Sequence, residues 1–336
     1  MAFKLGVLLI HGMGNQEAGF ADEMIEKVKL RLRRLGSNDR DVCFEPIWWA
    51  HVLGDKEASL LRHMADGNDL EWMPLRSFVV NSLGDALAYQ DIPTSDDQIN
   101  VYRGIHAVVA EKTAYLRNRL RSGMAENAPE TPLVVIAHSL GAHIMSNYIW
   151  DLQHGAAPKL KIGDNPFEHY ETLTCIVTFG CNIPLFTLAL NNIEPIEFPF
   201  PGLAAYFPAG TTQEEVRKVA RWMNYYDPDD VLGYPLRTLN ARYEQVVSRD
   251  VPVNVGNILR SWNPASHTAY WTDDNIIRPA AELVHDILRL ILARETKPGA
   301  ALAARRPAAG SRLRGERTAR IEAKEEVFEP PGRVLL

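Results

Sequence analysis

Pro132-Leu-Val-Val-Ile-Ala-His-Ser-Leu-Gly-Ala-His-Ile-Met-Ser-Asn-Tyr-Ile-Trp150 is the stretch around which the chain is organised. Leu133 to Ala137 is a short apolar run rich in β-branched residues, the pattern of a strand buried on both faces. Ala137-His-Ser-Leu-Gly141 follows at once, with small residues two positions either side of Ser139. Ile144, Met145, Tyr148 and Ile149 then recur at helical spacing. A strand that turns sharply into a helix holds its central side chain in a tight, exposed elbow. The flanking residues must be small because strand and helix pass close to them. Ser139 is thus a candidate nucleophile, and the alternative is a serine that only caps the helix.

The amino-terminal end supplies a partner for this elbow. Leu5-Gly-Val-Leu-Leu-Ile10 is a continuous apolar run, as expected of a strand inside a parallel sheet. It ends in His11-Gly-Met-Gly-Asn-Gln16, and a helix is predicted from about Ala18 to Leu35 with Phe20, Met24, Ile25, Val28, Leu32 and Leu35 on one face. Acyl transfer by a serine passes through an oxyanion, which needs backbone N–H donors fixed where the charge develops. The amide of Met13 is the natural first donor and that of Leu140 the second. Gly12-x-Gly14 after a strand also suggests a dinucleotide loop, but Glu17 stands in the third glycine position, where an acid would face the pyrophosphate.

The remaining segments alternate strand and helix. Val42 to Val52 contains Pro46-Ile-Trp-Trp-Ala50, read as the next strand and its exit loop, with Trp48 and Trp49 divided between core and pocket mouth. Residues 54–95 read as helical pieces broken near Gly67 and at Pro74, an insertion placed to cap the site through Trp72, Met73, Phe78 and Tyr89. Thr94-Ser-Asp-Asp97 is a helix start, and Ile99, Tyr102, Ile105, Val109, Tyr115, Leu116 and Leu120 are expected inward. Thr174 to Gly180 is a further buried strand, closed by Gly180-Cys-Asn-Ile-Pro184. The Pro-, Phe- and Leu-rich segment 184–215 lacks periodicity and is read as a lid over an apolar pocket, or else as a loop buried against the sheet edge. A strand leads through Tyr225 into the acid-rich turn Asp227-Pro-Asp-Asp230, Val251 to Val255 is the expected last strand, and Ile276 to Ala293 is an amphipathic helix. From about Arg294 few core residues remain, so 294–336 is expected to be a disordered tail.

Composition bounds the class. Of 336 residues, 46% are hydrophobic and 23% charged, enough for a large core within one domain over 1–293. A formal net charge of -6 argues against general nucleic-acid binding. Cys43, Cys175 and Cys181 are too few and too strand-like for a disulfide framework, and they point to reduced core thiols and a cytoplasmic protein. No apolar run reaches the roughly 18 residues of a membrane span, and no short-spaced ligand cluster suggests a metal.

A serine hydroxyl needs an imidazole to take its proton and an acid to hold that imidazole in one tautomer. His267 stands after the last expected strand and before the terminal helix, where the base belongs. Asp230, directly before Val231-Leu232, is the first choice for the acid; Asp227 is the runner-up, and Asp229 is expected to face solvent.

In order, His11-Gly-Met-Gly14, Ala137-His-Ser-Leu-Gly141, Thr178-Phe-Gly-Cys-Asn-Ile-Pro184, Trp222-x-Asn224 with Asp227-Pro-Asp-Asp-Val231, and His267-x-x-Tyr270 resemble the lipase-like branch of the α/β-hydrolase superfamily. The resemblance spans Leu5 to about Ala293. It departs in two respects: Ala137 replaces the first elbow glycine, and the chain starts directly at the oxyanion strand, so a short sheet is expected. It implies a mostly parallel central sheet flanked by helices, a Ser139–Asp230–His267 triad, and cofactor-free hydrolysis of a carboxylic ester, a small molecule or a lipid. Acyl transfer to an alcohol or thiol on the same triad, or a non-catalytic binding protein on the same fold, are the alternatives.

Overall fold

Buried apolar runs become the strands of one parallel sheet. The computed structural model describes residues 3–14, 16–66, 70–90, 100–157, 160–189, 193–256 and 269–295, the side chains of Pro74, Phe78 and Ala189 excepted. Among them, β1 (Leu5–Ile10), β2 (Val42–Ile47), β3 (Leu133–His138), β4 (Leu173–Phe179), β5 (Arg221–Tyr226) and β6 (Arg249–Pro252) lie in the order β2-β1-β3-β4-β5-β6. Every neighbouring pair is parallel. The protein is thus of the α/β class.

The two-residue period of a strand sends alternate side chains into two cores. Leu8, Ile10, Leu133, Val135 and Ala137 enter one, which α2 (His51–Ala65), α4 (Val101–Arg121) and α5 (Leu140–His154) cover with Leu53, Ile105, Val109, Leu140 and Ile144. Leu5, Val7, Leu9, Val134 and Ile136 enter the other, covered by α1 (Asp22–Arg34) and the last helix (Asp274–Glu295) with Met24, Val28, Leu32, Ile277, Val284 and Ile287. Each large apolar side chain contributes about 1.5–3 kcal/mol on leaving water, which is why both faces of β1 and β3 are predominantly apolar. A further helix, α3 (Met73–Ala88), packs beside α2. The short helices between β4 and β6 are α6 (Ile183–Phe186), α7 (Gln213–Val219) and α8 (Ala241–Val246), which makes the last helix α9.

Several sequence expectations shift. Helix α1 begins at Asp22, four residues after Ala18, and Leu35 is exposed at its C-cap. Strand β2 is Val42–Ile47; Pro46 is tolerated because β2 is an edge strand, paired only with β1. The two tryptophans after it part company: Trp49 is fully buried, and Trp48 lines a cleft of about 310 Å3 with Glu45, His51 and Lys112. On α4, Tyr102, Ile105, Val109, Leu116 and Leu120 are buried as expected, but Tyr115 is exposed and lies against the cations of Lys112 and Arg119. Strand β6 precedes the expected segment, at 249–252, because its ladder to β5 pairs Met223 with Arg249 and Tyr226 with Pro252. The helix start at Thr94 to Asp97, Ile99 and the tail 296–336 fall outside the described residues. Within 184–215, Ile196 and Phe198 are buried in one core and Leu203 and Phe207 in the other, while Leu188 is exposed. No described helix is long and apolar enough to cross a membrane.

Candidate active site

The elbow is built by crowding. Ser139 links β3 to α5 with φ 51° and ψ −124°, a conformation an L-residue adopts only when its surroundings enforce it, at about 1–3 kcal/mol. Its amide donates to the carbonyl of Phe179 at the end of β4 (3.0 Å), and its carbonyl accepts from Ala142 N (3.0 Å). The end of β1 presses on it from the other side. A Cβ placed on Gly12 would lie 2.6 Å from Ser139 Cβ, and one on Gly141 would lie 2.4 Å from the carbonyl oxygen of His11. Both glycines are therefore required by close approach of backbone. The sequence reading expected an exposed serine, but Ser139 is fully buried.

His11 sets the shape of the loop that leaves β1. Its Nε2 accepts from Trp49 N (3.0 Å) and Ala50 N (3.3 Å), so Nδ1 carries the proton and donates to Gly12 O (2.7 Å). The indole of Trp49 stacks on the imidazole at 4.8 Å, and its Nε1 donates to His11 O (3.0 Å). Burial, partly offset by the bond to the Gly12 carbonyl, pulls the His11 pKa down to about 4 and keeps the ring neutral. Because a trans peptide points its C=O and N–H in opposite directions, pinning Gly12 O also aims the N–H of Met13. Of the two expected oxyanion donors, Met13 follows Gly12, which lies against Ser139, and Leu140 follows Ser139 at the start of α5. Gly14, with φ 96°, donates its N–H to Asp85 Oδ2 on α3 (2.8 Å).

The acid turn after β5 separates its three aspartates. Asp227 Oδ1 accepts from Asp229 N (2.9 Å) and Oδ2 from Val255 N (2.7 Å), so this carboxylate ties the turn to the chain beyond β6. Asp229 is exposed. Asp230 is buried, with Oδ1 accepting from Leu232 N (3.0 Å) and Oδ2 from the hydroxyl of Tyr270 (2.9 Å). That hydroxyl in turn accepts from Asp227 N (2.9 Å). The Tyr270 ring lies 5.8 Å from Phe179 and 5.9 Å from His138, whose ring stacks on Phe179 at 5.2 Å. One tyrosine thus joins the acid turn to the residues flanking Ser139, a role that sequence reading did not assign and that no local pattern advertises. His267 lies outside the described residues, within 257–268. The chain on both sides of that segment is anchored at the acid turn, through Val255 before it and Tyr270 after it.

The three cysteines are free and buried; burial raises their thiols to about 11 for Cys43 and about 12 for Cys175 and Cys181, so none is a nucleophile in this form. No model of a known protein family matches the chain, and no curated protein matches it.

Proposed function

We propose that the protein is a serine hydrolase of α/β-hydrolase type that cleaves a carboxylic ester. The observation that carries the reading is the strained elbow at Ser139, wedged between Gly12 and the ends of β1 and β4. A helix-capping serine has no need of positive φ or of a glycine against its Cβ. The strand order supports the same reading: in a parallel sheet, ligands gather at the carboxyl ends of the strands, and β1, β3 and β5 there lead into the His11–Gly14 loop, Ser139 and the acid turn.

In this mechanism His267 takes the proton of Ser139 Oγ as the oxygen bonds to the ester carbonyl carbon. The carbonyl π electrons move to oxygen, and the Met13 and Leu140 amides hold the resulting oxyanion. When the oxyanion collapses, the bond to the alkoxy oxygen breaks and His267 returns the proton to the departing alcohol. Water, deprotonated by the same imidazole, then attacks the acyl-enzyme and releases the acid and Ser139. Asp230 orients His267 through its carboxylate, while Asp227 holds the turn.

The reading is tested by fluorophosphonate labelling of the purified chain with intact-mass detection. One adduct on the wild type, lost in Ser139→Ala and strongly slowed in His267→Ala, is the expected result. A folded wild type that takes no adduct, with or without detergent, refutes it.

A further inference from the structure

Outside the strand ends, one buried polar contact reaches the catalytic loop from a helix that has no place in the sheet. Gly14 follows Met13, and its N–H is bound by Asp85 of α3, 71 residues away and almost wholly buried. Gly14 has a positive φ of 96°, and its carbonyl accepts from Gln16 N (2.8 Å). The loop is therefore clamped at successive peptides. His11 holds the one that ends in Met13 N–H, and Asp85 holds the next, which carries the carbonyl of Met13. With only the first clamp, the second peptide is free to rotate about the bonds at Met13 Cα, and the donor geometry loosens with it.

Resting on the serine-hydrolase reading, we propose that Asp85 is a positioning residue for the oxyanion hole, bridging Glu57 of α2 to the Gly14 amide so that the cap helices hold the Met13 N–H in place. Glu57 lies alongside: a Cβ on Gly84, next to Asp85, would sit 3.8 Å from Glu57 Oε1. From α2 the charged group facing Asp85 is Glu57, and from the loop it is met by the Gly14 amide dipole. Burial, opposed by that amide and reinforced by Glu57, raises Asp85 to about 8, and burial raises Glu57 as well. In this proposal the Asp85–Glu57 pair shares one proton at neutral pH, while Asp85 Oδ2 accepts from Gly14. Losing that proton sets two carboxylates face to face in a buried site, and their repulsion pushes α3 from α2 and strains the bond to Gly14.

An asparagine reproduces the protonated aspartic acid, with a carbonyl for Gly14 and an N–H for Glu57. Steady-state kinetics on nitrophenyl butyrate between pH 6 and 10 distinguish this role from simple packing. We expect the wild-type kcat to fall above about pH 8 and Asp85→Asn to keep the neutral kcat within about threefold while losing that alkaline limb. Asp85→Ala should lower kcat about tenfold with KM little changed, less than the 10²–10³ for deleting an oxyanion donor itself. Glu57→Gln, which leaves the Gly14 contact intact, should move the alkaline limb to lower pH, and it decides the matter if Asp85→Ala does not fold. Wild-type kcat in folded Asp85→Ala, or an unchanged alkaline limb in Asp85→Asn or Glu57→Gln, overturns the proposal while Ser139-dependent labelling preserves the hydrolase reading. Absence of Ser139-dependent labelling in the wild type removes both.

Discussion

Two groups of carboxylates flank the candidate site, and they are satisfied in opposite ways. In the acid turn, donors are plentiful: Asp227 receives two backbone N–H groups, and Asp230 receives one together with the Tyr270 hydroxyl. Between α2 and α3, Asp85 lies beside the half-buried Glu57 and accepts from the Gly14 amide. Where donors are abundant, a buried carboxylate is held by geometry. Where they are scarce, burial raises the carboxyl pKa, and the contact is expected to depend on pH. Orientation of a catalytic base calls for the first arrangement, since an acid that holds an imidazole must accept its N–H throughout the reaction.

The largest effect expected from this contrast lies in the acid turn itself. Asp230→Asn should reduce kcat by about 10³–10⁴, the scale of a lost triad carboxylate. Asp227→Asn should instead destabilise the fold by about 1–3 kcal/mol, because one of its N–H partners loses its acceptor, with kcat within about tenfold of wild type. Kinetics and thermal melts of the two variants settle the assignment; a catalytic collapse in Asp227→Asn without loss of stability would exchange the roles.

Tyr270→Phe comes next. It removes a hydroxyl that donates to Asp230 and accepts from Asp227 N, so two buried partners lose a bond at once. A loss of about 1–3 kcal/mol in denaturant unfolding is expected, along with a several-fold fall in kcat as Asp230 gains freedom. An unchanged Asp230 site would show in unchanged kinetics, and the bridge would then be structural alone.

The smallest effect concerns the Asp85–Glu57 pair, and its sign follows from proton linkage. The folded Asp85 carboxyl is raised to about 8 from an ordinary value of 3.8, so between those pH values the folded state binds more protons than the unfolded one. Its contribution is complete below about pH 4 and is lost as pH rises through about 8. Relative to Asp85→Asn, the wild-type Tm should therefore decline by a few degrees as pH rises from 5 to 9. His11 has the reverse dependence. Its folded value near 4 lies below 6.5, so its contribution is complete above 6.5 and is lost as pH falls towards 4. A flat Tm difference between wild type and Asp85→Asn would erase the contrast between the two carboxylate sites.

The strand-to-helix turn at Ser139 and the glycine-bearing loop after β1 were legible in the sequence because their signals are local. Apolar runs mark β1 and β3, and the glycines at 12 and 141 stand where Ser139 and the backbone of His11 leave no room for a Cβ. The helical face of α4 was legible for the same reason, except at Tyr115. One position from Leu116 is about 100° around the helix, far enough to leave the core for the cations of Lys112 and Arg119. Strand β6 was misplaced by a few residues because it is a half-exposed edge whose ladder, and not its apolarity, sets its ends. Choosing between Asp227 and Asp230 was beyond any local pattern, since both sit in one Asp-rich turn.

By itself the sequence determined the alternation of buried strands and amphipathic helices, and therefore a parallel α/β sheet with Ser139 at a strand end. Hydrophobic period and residue size act over a few neighbouring residues, and such information survives in a linear string. The tertiary structure alone decided that Tyr270 bridges Asp227 and Asp230 from 40 and more residues away, and that Asp85 reaches Gly14 across 71. A hydrogen bond between distant residues depends on where two separately packed elements come to rest, and that is decided by the folded core rather than by the residues that make the bond.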